Sequence, residues 1–293
     1  MKAITPSFIL MFLLFCAFHT TVNAQSKLKV MTYNIWNGFD WGKDASRKTE
    51  TMLWIKSKNP DVLALQELCG YDEEKLRKDA MNWGHPYVKI LKTDGYPVGL
   101  TSKKPIDLKE RVLDGMSHGA LHCKTFGIDF FVVHLSPSDC NIRLKEARII
   151  TERVKNSTSE KYILLGDFNS HSPFDEYFLE KKGLLKTAYE NQKLGEKRSN
   201  LRLGEFDYAV MSTFLALPAI DVALDFSNPK SRYTYPCPAS EEVEKKNERI
   251  DYILTSASLA KLCTKTTIFN GKETARLSDH YPVMAEFEYV DLE

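Results

Sequence analysis

Short apolar runs, separated by polar and turn-forming stretches, recur along most of this chain, and few are long enough for buried helices. Residues 29–36 and 61–68 read as strands, with a helical stretch over 46–58 between them that stops before Asn59-Pro60. Residues 72–83 read as a second helix, ended by Gly84 and Pro86. Residues 98–102 and 128–135 are further strands. Ser138 or Asp139 can cap a helix running to about Lys155, because Arg143, Ala147, Ile150 and Val154 fall at helical spacing. Residues 162–165 form a short buried strand that delivers Gly166-Asp167, and 250–254 and 283–289 are late strands. The polar stretches 190–205 and 240–248 read as surface loops. Strands interspersed with helices predict a mixed α/β fold.

The N-terminus has a different pattern. A positive Lys2 precedes an unbroken apolar run over residues 8–18, and Val22-Asn23-Ala24 offers small residues at cleavage offsets. This is the layout of a signal peptide over residues 1–24, leaving one large domain over 25–293. The run is too short to span a bilayer comfortably, so no stable membrane insertion is expected. Phe15 before Cys16 argues against a lipoprotein cleavage box. A secreted or periplasmic protein follows as the expectation, and a monomer.

Charge changes the picture of partners. Lys and Arg number 40 against 39 Asp and Glu, and loss of Lys2 with the leader balances them. A polyanion binder usually carries a basic excess, since counterion release supplies much of its affinity. Nucleic acid is therefore the less favoured substrate. Five cysteines follow the leader, without the paired spacing of a zinc site, and read as buried thiols.

Several polar residues close the apolar runs. Glu67 follows one strand and shares the alternation of Leu63 and Leu65, so that face is expected to leave the core at the strand end. Asp167 and Asn169 flank Phe168 and are expected to point one way while Phe168 enters the core; Arg249 and Asp251 are expected to share a face opposite Ile250 and Tyr252. His134 ends a strand, and Asp279-His280 precedes Pro282 at the entry to the last one. Each has an ordinary structural alternative, such as an edge salt bridge, an Asx turn or a packed imidazole. Together they offer what phosphate-ester hydrolysis needs. A carboxylate can align water, an amide can hold a phosphoryl oxygen, and an imidazolium beside an acid can meet developing charge.

The stretches MTYNIW (Met31–Trp36), DVLALQEL (Asp61–Leu68), VGLTSKKPI (Val98–Ile106), VVHLSP (Val132–Pro137), LLGDFNS (Leu164–Ser170), RIDYILTS (Arg249–Ser256) and LSDHYPV (Leu277–Val283), in this order, resemble the endonuclease/exonuclease/phosphatase superfamily. That group includes DNase I, abasic-site endonucleases, sphingomyelinases and inositol-phosphate phosphatases. The resemblance implies a DNase I-like, four-layer α/β sandwich with two packed mixed sheets and outer helices. It implies that Glu67 binds Mg²⁺ or Mn²⁺ with Asn34 and Asp279 nearby. It further implies that Asp167 activates or aligns water, Asn169 positions water or phosphate, and His280, oriented by Asp251, stabilises charge. His134 matches the histidine of the DNase- and sphingomyelinase-like branches, which serves the leaving group or a phosphoryl oxygen. Trp36 stands where abasic-site enzymes carry an acid, which weakens a second-metal reading. No acidic partner for His134 is evident. His118 and His171 neighbour matched segments and are candidate substrate-binding residues.

The expected function is an exported, divalent-metal-dependent phosphoric-ester hydrolase, foremost a phosphodiesterase on a small sugar- or lipid-linked phosphate. An extracellular DNase-like endonuclease is the second reading, and an inactive binding module the third.

Overall fold

The computed structural model describes residues 26–194, 199–238 and 247–289; the signal peptide expected over 1–24 lies outside them. The strands are β1 (Ser26–Asn34), β2 (Val62–Gln66), β3 (Tyr87–Ile90), β4 (Gly99–Ser102), β5 (Asp107–Val112), β6 (Ala120–Thr125), β7 (Ile128–His134), β8 (Tyr162–Asp167), β9 (Leu201–Arg202), β10 (Glu205–Phe206), β11 (Ala219–Asp221), β12 (Asp251–Ser256), β13 (Cys263–Ile268) and β14 (Val283–Tyr289). Two six-stranded mixed sheets result, in the orders β13-β14-β1-β2-β4-β3 and β11-β12-β8-β7-β6-β5.

Alternation along the strands builds four layers. Val30, Val62 and Leu100 of one sheet meet Phe130, Val132, Leu165 and Ile253 of the other in the central core. The opposite faces carry Met31, Tyr33, Leu63 and Leu65 on one sheet, packed against Trp54, Ile55 and Leu76 of the helices Ala45–Lys58 and Glu73–Ala80. On the other, Phe131, Val133, Leu164 and Tyr252 pack against Ala147, Ile150, Val154 and Phe214 of the helices Cys140–Asn156 and Ala209–Leu215. Each buried Val, Leu, Ile, Met or Phe among them contributes about 1.5–3 kcal/mol of burial. This is the α/β sandwich the motifs implied.

The parallel pairs position the cleft. β1 runs parallel to β2, and β7 to β8, each pair joined through one long helix, so four strands end at the same edge of the sandwich. The antiparallel β12 and β14 begin there. The helix Cys140–Asn156 starts as expected, with the Asp139 side chain accepting from Asn141 N.

Two loop readings need correction. Within 190–205, the helix Leu184–Lys193 and the β9–β10 hairpin are formed, while 195–198 lie outside the described residues. Of 240–248, residues 240–246 lie outside them, and Glu248 is half-buried and bridged to Tyr235. Among the described residues no helix is long and apolar enough to cross a membrane. Cys69, Cys123, Cys140, Cys237 and Cys263 are free thiols, all but the last buried.

Candidate active site

Strand register assembles the first half of the site. His134 pairs with Asp167 across β7 and β8, and Asp251 pairs with Asp167 across β8 and β12. Paired residues share a sheet face, so all three project from the inter-sheet face where the apolar core stops. Gly166 lets β8 lie this close to β7: its φ is +140°, and a Cβ there would sit 2.0 Å from Val133 O. Asp167 Oδ2 lies 3.6 Å from His134 Nε2 and 3.7 Å from His280 Nε2, while Oδ1 accepts from Asn169 N at 2.9 Å.

Asn34 ties the other sheet to this row. Its Nδ2 donates to Glu67 Oε1 at 3.1 Å and to Asp167 Oδ2 at 3.2 Å. Glu67 does not arrive by strand alternation. Leu63 and Leu65 face the outer helices, β2 ends at Gln66, and Glu67 turns into the cleft through a left-handed φ of 59°. The expectation that it leaves the core with Leu63 and Leu65 is therefore corrected. Glu67 Oε2 accepts from Asn37 N at 2.7 Å, within a left-handed run from Trp36 to Trp41. Such a conformation costs about 1–2 kcal/mol per non-glycine residue. Gly38 is required inside it, since a Cβ would lie 2.1 Å from Cys69 O. Asn169 also takes a positive φ, of 47°, and its Nδ2 donates to Leu135 O at 2.9 Å while Phe168 enters the core. Strained backbone thus clusters at this edge.

The loop before β14 supplies Asp279 and His280. Ser278 Oγ donates to Asn34 O at 2.7 Å, and His280 N donates to Ser278 Oγ at 3.2 Å. His280 Nδ1 donates to Asp251 Oδ2 at 2.9 Å, the carboxylate–imidazole pair expected from sequence. Burial opposes charge on His280, yet Asp251, Asp279 and Asp167 together raise its pKa well above the ordinary value. Burial pushes the Asp167 carboxyl up, with His280 opposing and Asp251 and Glu67 adding to the rise. Burial likewise raises Asp279 to about 6, against the pull of His280 and with a push from Glu67. Buried carboxylates here outnumber the one imidazolium among them.

His134 has a different neighbourhood. Its ring lies 4.5 Å from that of His118, tilted by 31°, and Tyr96 sits edge-on to both. Its Nδ1 is buried without a hydrogen-bond partner. Burial, with His118 and His280 adding, holds His134 well below the ordinary imidazole value; burial brings His118 to about 4. Both rings are neutral at pH 7.

These residues open into a cavity of about 650 Å³. Its outer part is walled by Leu184, Asn200, Leu201 and Phe206, and by His171, whose Nε2 is hydrogen-bonded to Glu248. Asn200 lines it with its carbonyl oxygen accepting from Arg143. Among the described residues, no Lys or Arg lines the cavity.

All ten candidate residues thus gather at one edge, although Asp251 contributes from beneath His280. Arg249 does not join them: it turns away to ion pairs of 2.7 Å with both Asp175 and Asp221, correcting the expectation that it shares Asp251's face. His85 is enclosed in the fold, and His122 pairs with Asp129 at 2.6 Å. Sequence reasoning missed Tyr96, Glu248 and Asn200. Glu248 ends a charged stretch that looked solvated, and Tyr96 stands in a Gly-Tyr-Pro turn without local signal.

Comparison with known proteins agrees with this fold. The model of the Endonuclease/Exonuclease/phosphatase family matches residues 31–280. Similar solved structures include an AP endonuclease from Archaeoglobus fulgidus, with TM-score 0.66, 19% identity and coverage of 89% of this chain and 99% of that one. A 3′–5′ exonuclease from Neisseria meningitidis has TM-score 0.66, 21% identity and coverage of 89% and 100%. At those identities the likeness shows the fold. An uncharacterized Caenorhabditis elegans protein is 29% identical over 90 residues, 31% of this chain and 27% of its own length.

Proposed function

This chain belongs to the endonuclease/exonuclease/phosphatase family and is a hydrolase of phosphate esters, and we propose that it is an exported phosphodiesterase acting on a small, sugar- or lipid-linked phosphate. The observation that carries this reading is the convergence of Glu67, Asp167 and Asp279 with the Asp251–His280 pair at the floor of one cavity.

The surplus of buried carboxylate over imidazolium, visible in the raised Asp167 and Asp279, fits a hard divalent cation. Asp167, Asp251 and His280 also bring ligand atoms within 4.8 Å of one another, but the Asp251–His280 hydrogen bond already engages two of those groups. Glu67 and Asp279, with Asn34 beside them, are the better holders of Mg²⁺ or Mn²⁺. Such an ion would neutralise charge on the phosphoryl oxygens.

The protein groups divide the remaining work. Asp167, held by Asn34 Nδ2 and Asn169 N, aligns the attacking water and takes its proton. His280, charged and oriented by Asp251, donates to the phosphoryl oxygen as negative charge grows. Asn169 retains an amide hydrogen for phosphate. Neutral His134 faces the same space and serves the leaving oxygen. His118 and His171 line the walls against which the ester's organic group rests.

An outer cavity of apolar faces, the uncharged polar side chains of Thr187, Asn191, Ser199 and Asn200, and a His–Glu pair supports a compact organic group over a duplex. The balanced charge of the chain points the same way. The test compares bis-p-nitrophenyl phosphate, p-nitrophenyl phosphate and plasmid DNA, with Mg²⁺ and with chelator. Small-diester hydrolysis that barely responds to salt, with plasmid intact, is the expected result. Plasmid degradation that collapses between about 50 and 200 mM salt would move the assignment to a nuclease. Fractionation of expressing cells tests export, which rests on the leader sequence.

A further inference from the structure

His280 is oriented by a carboxylate on its own Nδ1, but His134 has no such partner. Its ring is held by its neighbours. His118 covers one face at 4.5 Å, and Tyr96 closes the edge. His134 ends β7 and His118 lies in the loop before β6, so the stack survives only while two separate backbone segments stay in register.

One side chain joins those segments. Glu146, fully buried on the helix Cys140–Asn156, accepts from Ser117 N through Oε1 at 2.7 Å and from Ser136 N through Oε2 at 2.8 Å. Ser117 precedes His118, and Ser136 follows His134 by two residues. The same helix grips the other side of Ser136: Arg143 Nη1 donates to Ser136 O at 2.9 Å. A buried carboxylate with both oxygens on backbone N–H groups makes strong, directional bonds.

We propose that Glu146 is a positioning residue for the reaction, acting through Ser117 and Ser136 to hold the His118 ring against His134 and so aim His134 at the leaving oxygen. Glu146 itself touches no substrate; it lies behind both loops. The role rests on the phosphodiesterase reading for its chemistry, whereas the linkage between Glu146 and the two rings is a matter of structure alone.

Glu146→Gln keeps size and one acceptor but places an amide NH₂ against the second backbone N–H, releasing one loop. With bis-p-nitrophenyl phosphate and Mg²⁺, kcat should fall by about 10- to 100-fold, the scale of a small misplacement, with KM nearly unchanged. In a His134→Ala background the same substitution should cause little further loss, since the group it aims is gone. His118→Phe, which keeps a flat ring, should retain most of the activity that His118→Ala loses. In imidazole-resolved NMR spectra, the His134 and His118 signals should move in Glu146→Gln while those of His85 and His122 stay. Multiplicative losses in the double variant, or unmoved His134 signals, would overturn the proposal; so would equal loss in His118→Phe and His118→Ala. Absence of any hydrolysis by the wild-type protein would instead count against the phosphodiesterase reading, and the spectra would still decide the linkage.

Discussion

Asp167 and Asp251 stand opposite each other on β8 and β12, and the ring of His280 joins them, 2.9 Å from Asp251 Oδ2 through Nδ1 and 3.7 Å from Asp167 Oδ2 through Nε2. Two like charges paired across strands repel. Here the imidazolium relieves that repulsion, and its Nε2 edge is left toward the cavity. One carboxylate orients the ring and the other shares its field with the reacting water.

The two acids should therefore respond unequally to mutation. His280→Ala and Asp167→Asn should each lower kcat by about 10²-fold or more, the scale of charge stabilisation and general-base help. Asp251→Asn keeps a hydrogen-bond acceptor for Nδ1 and should cost less than His280→Ala. Steady-state kinetics on a chromogenic diester, with circular dichroism as a check on fold, measures this. An Asp251→Asn loss as large as that of His280→Ala would mean that Asp251 does more than orient.

Metal removal gives a second expectation. Chelation should abolish activity, and Mg²⁺ or Mn²⁺ should restore it, because Glu67 and Asp279 offer hard oxygen ligands at a crowded anionic floor. Glu67→Ala should raise the Mg²⁺ concentration needed for half-maximal rate and lower turnover. Full activity of demetallated protein in chelator would refute the metal role.

Much of this site was legible because its residues end strands that are buried on both faces. β2, β7 and β8 carry near-continuous apolar sequence, so the polar residue that stops each one stands out. β5 and β13 escaped notice for the opposite reason. Both are edge strands rich in charged or hydroxyl side chains, β5 in DLKERV and β13 in CTKTTI, and neither carries an unbroken buried run. The direction of Glu67 was beyond strand periodicity, since a single left-handed residue reverses it. Glu146 gave no signal at all. A glutamate inside an amphipathic helix reads as solvated surface until the fold places two orphan backbone N–H groups above it.

Gly166 supports a prediction about backbone rather than chemistry. With φ at +140° and Val133 O 2.0 Å from where a Cβ would lie, Gly166→Ala must push β8 from β7 beneath the His134–Asp167 pair. Loss of at least about 2 kcal/mol is expected from the strained backbone and the clash, together with a fall in kcat larger than that of an equally destabilising core variant such as Leu164→Ala. Urea titration and kinetics on both proteins make the comparison. Equal activity at equal stability would show that the strand spacing is not felt at the site.

His85 predicts how stability depends on pH. It is wholly enclosed, with Nε2 2.9 Å from Pro60 O and Nδ1 2.7 Å from Thr101 Oγ1. The Trp83 indole donates to the same hydroxyl at 3.4 Å, so Thr101 gives its proton to Nδ1 and the ring keeps one proton, on Nε2. Burial disfavours a second proton and lowers the pKa to about 4, although the hydrogen bonds to Pro60 and Thr101 pull the other way. Unfolded, the imidazole takes that proton near its ordinary value of about 6.5. Between these values the unfolded chain binds more protons than the folded one, so stability falls as pH drops from about 6.5 towards 4. Going from pH 7 to pH 4.5, His85 should account for about 2 kcal/mol of that loss. His85→Gln, which keeps a donor and an acceptor but does not titrate, should lose correspondingly less over the same interval. Urea unfolding of both proteins at the two pH values measures the difference. The same acid-induced loss in both would mean that His85 is protonated in the folded state, and that the Thr101–Trp83 network does not hold it neutral.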